Sequence, residues 1–316
     1  MNPRQNVDIW RETIRNRFVE FKAAHPEALE RRLDLSWSNW GFGLEPLEVS
    51  CRRLADAGLS YIELAGDHLG AGLGHPGPET HRILGDHGLK VSGVCGLFSP
   101  DNDLSSNVAS QRQAGIDYLK REVDFAHQVG GGYLLVVPGA VGRPVPYDGS
   151  EFARSVSSLQ QVAERFEQAG IKGAIEPIRA AEVSVVHTID DALSYIEAVG
   201  SPGIQHINGD VFHIQSEERF IPASILKAGD RLINLHLADS NRMALGDGSM
   251  DIDSIIMALY LLGHNRPGRF ATCEPLGPGG DSYLAMYSMP DPARLDKMVN
   301  DTIGYFRARE EAVLAL

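Results

Sequence analysis

Short apolar runs alternate with longer stretches of helical periodicity through most of the chain. The runs are LDLSWS (33–38), SYIELA (60–65), LKVSGVC (89–95), GYLLVV (132–137), IKGAIE (171–176), IQHINGD (204–210), LINLHLA (232–238) and RFATCE (269–274). Each is short and apolar enough to be buried on both faces, the signature of strands in a parallel sheet. Between them lie EPLEVSCRRLADAG, QAGIDYLKREVDFAHQVG, FARSVSSLQQVAERFEQAG and TIDDALSYIEAVG, several of which end in Gly, a common helix stop. A polar helix candidate over roughly residues 8–29 precedes the first run. Eight strand–helix units joined by right-handed crossovers predict a single closed (β/α)8 TIM barrel over residues 33–316, with an N-terminal helical extension (1–32) and long rim loops. The rival is an open doubly wound sheet. It would want a G-x-G-x-x-G after the first strand, which is missing, and no linker or composition break divides the chain.

Composition narrows the setting. The chain has 316 residues, 43% of them hydrophobic, so it can bury a large core. Its 29 basic and 42 acidic residues leave a net charge of -13, which argues against nucleic acid or an anionic membrane as partner. Cys51, Cys95 and Cys273 are scattered, with no disulfide framework or CxxC metal motif, and point to a reducing cytoplasm. The charged N-terminus does not read as a signal peptide, and no run approaches the roughly 20 apolar residues of a membrane span.

The polar residues at strand ends carry the chemistry. Barrel active sites lie at the carboxyl ends of the strands. The fifth run closes on Glu176, the sixth on Asp210 and the eighth on Glu274, while the seventh holds His236. Singly, each carboxylate could be solvated or cap the next helix, and the histidine could be a hydrogen-bonded core residue. Together they converge on one small volume, where three carboxylates repel one another unless a cation joins them. Three carboxylates and an imidazole suit Mn²⁺, with Mg²⁺ or Co²⁺ as alternatives. Three more residues sit near the same rim: His213 three after Asp210, Arg242 six after His236 and Glu182 six after Glu176. Their spacing alone reads equally as solvated loop.

With these residues the chain resembles the xylose-isomerase-like barrel superfamily of sugar isomerases and epimerases, and within it the D-tagatose and D-psicose 3-epimerases. That resemblance implies Mn²⁺ held by Glu176, Asp210, His236 and Glu274, with Glu176 and Glu274 moving protons. It implies substrate contacts from His213, Arg242 and Glu182. Two stretches depart from simple ketose epimerases. EPLGPGGDSYLAMYSMPDP after the eighth run is long and carries Tyr283, Met286, Tyr287 and Met289, and VVPGAVGRPVPYDG after the fourth is Pro-rich and apolar. Such surfaces suit a partner subunit or an apolar part of the substrate, or loops folded back over the barrel. SWSNWGFG, HLADSNRMALGDGSMD and CEPLGPGGDSYLAMY are most similar to the large subunits of bacterial C-glycoside deglycosidases. That likeness implies a metal-dependent lyase that cleaves 3-oxo-C-glucosides by elimination, working with a small β-rich subunit in an oligomer. The alternative is a ketose 3-epimerase or sugar isomerase on the same site. An endonuclease IV type would need more histidine ligands and a basic groove, and a carbohydrate-binding scaffold has no need of three converging carboxylates.

Overall fold

The computed structural model describes residues 3–66, 76–277, 282–289 and 291–316. Eight parallel strands form one sheet: β1 (Leu35–Trp37), β2 (Tyr61–Ala65), β3 (Lys90–Cys95), β4 (Tyr133–Val136), β5 (Lys172–Ile175), β6 (His206–Asp210), β7 (Leu232–Leu237) and β8 (Phe270–Cys273). Neighbours follow chain order and β1 pairs with β8, while a parallel bridge between Ser38 and Glu63 joins β1 to β2. The ring is thereby closed into the expected (β/α)8 barrel.

The eight strands fall within the predicted runs but are mostly shorter, because the outer residues of each run already turn toward a helix. Two helix expectations are corrected. The first helix spans Pro3–Ala24, not 8–29: Pro26 cannot continue it, and a short 3-10 turn, Pro26–Leu29, follows. The run after 151 breaks into Glu151–Gln160 and Ala163–Ala169. Gly130, Gly170 and Gly200 follow helix ends in the left-handed conformation, as the Gly stops predicted. Among the described residues no helix is long and apolar enough to cross a membrane.

Most of the core lies between the strands and the surrounding helices, with Leu54, Leu119, Phe166, Ile196 and Leu259 at or below 1% exposure. The barrel interior is layered. Tyr61, Tyr133, Ile233 and Phe270 form an apolar cluster toward the amino ends of the strands, with Tyr61 and Phe270 edge to face at 5.0 Å. Gly93 of β3 leaves room for this layer: a Cβ there would lie 2.4 Å from the Tyr133 ring. Above it sits a polar layer of Glu63, Asn208, Asn234 and Thr272, all fully buried. β7 bulges against β6 at this level, since Ile207 pairs with Leu232 but Asn208 with Asn234. The extra residue turns Asn234 and His236 inward and aligns His236 with Asp210.

Candidate metal centre and active site

Glu176 and Glu274 stand one residue beyond β5 and β8, Asp210 is the last residue of β6, and His236 lies within β7. All four are 6% exposed or less. Backbone bonds to the neighbouring strands fix the two glutamates: Glu176 N donates to Val136 O at 3.0 Å and Glu274 N to Leu237 O at 2.8 Å. Asp210 also caps the following helix, Val211–Glu217, accepting from Phe212 N at 2.7 Å. The capping alternative is therefore true of its Oδ1. Its Oδ2 is buried without a hydrogen bond among the described residues, although His213 Nε2 lies 3.4 Å away and Arg242 Nη2 3.8 Å.

The four predicted groups meet. His236 Nδ1 lies 3.1 Å from Glu274 Oε1 and 3.6 Å from Glu176 Oε1. Ligand atoms of Glu176, Asp210 and His236 all lie within 4.8 Å of one another, as do those of Glu63, His236 and Glu274. Trp40 Nε1 donates to Glu274 Oε1 at 2.6 Å, and Asn208 Nδ2 to Glu176 Oε1 at 2.8 Å.

His213, Arg242 and Glu182 reach the same pocket, which Trp40, Leu97, Phe98, Ile178 and Met286 help to line. His213 lies in the helix after β6, not in a loop, and its Nδ1 is buried without a hydrogen bond among the described residues. Glu182 is half-buried and accepts from Arg179 Nε at 2.6 Å. Arg242 is held in a left-handed backbone conformation (φ 60°) that few non-Gly residues adopt. Asp239 shapes its loop by accepting from Ser240 N, Gly246 N and Met250 N, while Arg242 O accepts from Leu276 N and Gly277 N. The guanidinium rests over the Phe212 and Trp40 rings, 4.7 and 5.9 Å from their centroids, with Nη2 3.3 Å from Glu274 Oε2. Its Nε and Nη1 are buried without a hydrogen bond among the described residues, two donors left over in the wall of the pocket.

The charges explain why a cation fits. Burial, helped by Glu274, lifts the Asp210 carboxyl to about 7 against the pull of Arg242. Burial also raises Glu176, despite its contact with His236. Glu274 is equally buried, yet His236 and Arg242 hold it down at about 2. Burial would lower His236, but Glu274 and Glu63 outweigh it and raise it well above the ordinary range. His213, buried beside Arg242, is pushed well below its usual value and stays neutral. Burial thus favours the protonated forms of Asp210 and Glu176, while the surrounding carboxylates favour a protonated His236. A divalent ion bound by these oxygens and the imidazole would replace those protons, and the oxygen-rich donor set suits it.

Glu63, Trp40 and Asn208 were not singled out from the sequence. A signal for Glu63 existed: it is the lone acid inside SYIELA, at an inward position of an apolar strand. The apolar rim residues divide. Met286 is half-buried in the pocket wall, Tyr287 and Met289 are exposed, and the side chain of Tyr283 lies outside the described residues. In the loop after β4, Val137 and Ala140 are buried while Val145 and Tyr147 are exposed. Arg143 pins that loop to Asp103, Ser105 and Glu151.

Known proteins share this architecture. A ketose 3-epimerase of Arthrobacter globiformis is 28% identical over 256 residues, covering 80% of this chain and 83% of that protein. The 3-dehydro-D-guloside 4-epimerase of Escherichia coli is 25% identical over 239 residues, covering 72% and 87%. The solved structure of an L-ribulose 3-epimerase superposes with a TM-score of 0.77 over 89% of this chain and 96% of that one; at 21% identity it speaks for the fold. The family model described as xylose isomerase-like TIM barrel matches residues 51–282. These relatives favour the epimerase outcome over the lyase that the resemblance put first. An inward rim of Glu, Asp, His and Glu on an eight-stranded barrel, the match over most of the chain and the epimerase relatives agree: the chain is an enzyme and belongs to the xylose isomerase-like TIM barrel family.

Proposed function

We propose that the chain is a divalent-metal-dependent sugar epimerase that inverts the carbon beside the carbonyl of a ketose or of a keto-sugar unit in a glycoside. Glu176, Asp210, His236 and Glu274 would hold the ion, Mn²⁺ in the first instance. The observation that carries this is the placement of Glu176 and Glu274, just past the ends of β5 and β8, reaching His236 Nδ1 from the two sides of the β6–β7 pair. Inversion needs a base on one face of the carbon and an acid on the other. Each carboxylate has two oxygens, so one can face the ion and the other the substrate. When bound, the ion polarises the carbonyl and steadies the negative charge that develops after proton loss.

The chain's own residues supply the rest. One glutamate takes the proton from the carbon next to the carbonyl, and the other returns a proton to the opposite face. Arg242, fixed by Phe212 and Trp40, points its unpaired N–H groups at a sugar oxygen, and neutral His213 can hydrogen-bond a hydroxyl. Glu182 holds a second hydroxyl from the pocket edge. Support for a sugar substrate comes from the relatives, which act on ketoses and on a 3-dehydro-D-guloside.

Mn²⁺-loaded protein supplied with free ketoses and 3-keto-glucosides in D2O tests this reading. The expected result is an epimer carrying deuterium at the inverted carbon. Failure to exchange that hydrogen in any such sugar would sink the proposal. A second reading is elimination from a 3-oxo-C-glucoside, favoured by the apolar wall of Leu97, Phe98, Val141, Ile178 and Met286, which could seat an aglycone. Exposed Val145, Tyr147 and Met289 would then face a small partner subunit. Released aglycone, instead of an epimer, would identify it.

Arg242→Ala is expected to raise KM by about 10- to 100-fold, the worth of a charged hydrogen bond, with a smaller change in kcat. Steady-state kinetics check this, and an unchanged KM removes Arg242 from substrate binding. Metal uptake is expected to depend on pH. Asp210, lifted to about 7, and His236, raised by its acidic neighbours, must both shed protons before they bind an ion. Apparent Mn²⁺ affinity therefore rises with pH toward neutrality and falls below it, by about tenfold per pH unit for each proton displaced. Calorimetry between pH 5 and 8, in buffers of different ionisation enthalpy, reads the proton release directly. A flat profile would contradict it.

A further inference from the structure

We propose that Glu63 is a positioning residue of the metal centre: its carboxylate holds the Nε2–H of His236, leaving the Nδ1 lone pair to face Glu176, Asp210 and Glu274 as the ligand atom. The inference rests on the metal reading above and deepens it by naming which ring nitrogen binds and what selects it.

Glu63 lies on β2, on the far side of the barrel from β6, and the rim motifs do not include it. It is fully buried. Both its oxygens face His236 Nε2, Oε1 at 3.1 Å and Oε2 at 3.0 Å. The other ring nitrogen, Nδ1, points the opposite way, into the Glu274 and Glu176 carboxylates. A ligating histidine generally donates its second N–H to a carboxylate or carbonyl, which fixes the ring and raises its basicity. Glu63 meets that description.

The surrounding hydrogen bonds leave Glu63 one orientation. Tyr133 O–H donates to Oε1 at 2.5 Å and Asn234 Nδ2 to the same oxygen at 3.1 Å. The Glu63 carboxylate only accepts, so the Asn234 amide presents its NH2 to Glu63 and to Asn208 Oδ1, and its Oδ1 accepts from Thr272 Oγ. Asn208 in turn gives its NH2 to Glu176 Oε1. One continuous set of donors therefore runs from Thr272 through both asparagines and ends on the two carboxylates that flank His236. Reversing either amide would set its carbonyl oxygen against a carboxylate, acceptor facing acceptor. Glu63 has no Lys or Arg partner among its hydrogen bonds and ion pairs in the described residues. A buried carboxylate is poorly matched by a neutral ring alone. It is well matched by a ring that transmits positive charge from an ion on its other nitrogen.

Glu63→Gln tests the assignment. Glutamine fills the same space, but its amide can offer either O or NH2 to Nε2, so the tautomer is no longer dictated. Isothermal titration with Mn²⁺ alone is expected to show one site in wild type and the same stoichiometry in the variant, with Kd raised about 10- to 100-fold, the usual effect of losing such a partner. A purely structural role would lower thermal stability but leave the Kd of the folded protein unchanged, and that result overturns the proposal. Loss of the site altogether, with the fold intact, would make Glu63 a ligand and also overturn it. Should the variant not fold, wild type decides. In ¹⁵N-histidine protein loaded with Cd²⁺, His236 is expected to carry the metal on Nδ1 and the proton on Nε2, and metal on Nε2 overturns the assignment. Wild type that takes up no metal defeats the metal reading itself, whereas uptake with an unaffected variant defeats only this inference.

Discussion

Glu176→Gln and Glu274→Gln each lower turnover by about a hundred- to ten-thousandfold, the range for loss of a positioned acid or base. Glutamine keeps the shape and one acceptor oxygen. The bond from Asn208 to Glu176 and that from Trp40 to Glu274 can both survive, and the fold stays intact. What disappears is the ability to carry a proton, together with one of the charges proposed to hold the ion, so turnover is compared at saturating Mn²⁺. The two variants also differ from each other in an informative way. If each glutamate serves one face of the carbon, Glu176→Gln still exchanges deuterium into one epimer, and Glu274→Gln into the other, though neither inverts. Exchange followed by NMR in D2O, starting from each epimer separately, distinguishes this from a single base acting on both faces. A variant that still inverts at the wild-type rate removes that glutamate from the chemistry.

Asp210→Ala is expected to abolish metal retention, with an affinity loss beyond the roughly 10- to 100-fold of an outer partner. Two effects overlap, because Asp210 Oδ1 also caps the helix that carries His213, and losing such a cap costs about 1 kcal/mol. Asp210→Asn separates them. Asparagine can keep the cap while removing the charge whose second oxygen lacks a hydrogen bond. Without metal, Asp210→Asn is expected to match or exceed wild-type stability, since it relieves repulsion among buried carboxylates. With metal, wild type gains stability by mass action and the variant does not. Melting curves with and without Mn²⁺ measure both arms. Equal metal-induced shifts in the two proteins would refute Asp210 as a ligand.

Much of this was legible in the sequence because a barrel converts strand order into spatial order. Once eight apolar runs are aligned, the residues that end them must share a rim, and Glu176, Asp210, His236 and Glu274 follow directly. Residues outside that rule were harder to see. Glu63 sits in mid-strand, and only closure between β1 and β2 carries it across the interior to His236. Trp40 comes from the short helical turn Asn39–Phe42, whose direction no periodicity announces. Spacing alone could not tell Arg242 from a solvated arginine. What commits it is the Asp239-centred loop and a left-handed backbone, both products of tertiary hydrogen bonding. The error at the first helix is local: the hydrophobic period continues past Ala24, but Pro26 overrules it.

The layering of the interior has an evolutionary consequence. His236 and Glu176 are braced from beneath, by side chains on strands, whereas Leu97, Phe98, Val141 and Met286 of the pocket wall come from loops and a short helix beyond the strands. Under the proposed reaction, wall residues could be exchanged one at a time, altering which sugar or appended group is admitted, without loosening the groups proposed to move the proton. The same freedom does not extend downward. Gly93 leaves no space for a side chain beside Tyr133, and Tyr133 holds Glu63, so drift at that depth is coupled to the site through three side chains in succession. A lineage built on this plan can change its diet while its reaction stays the same.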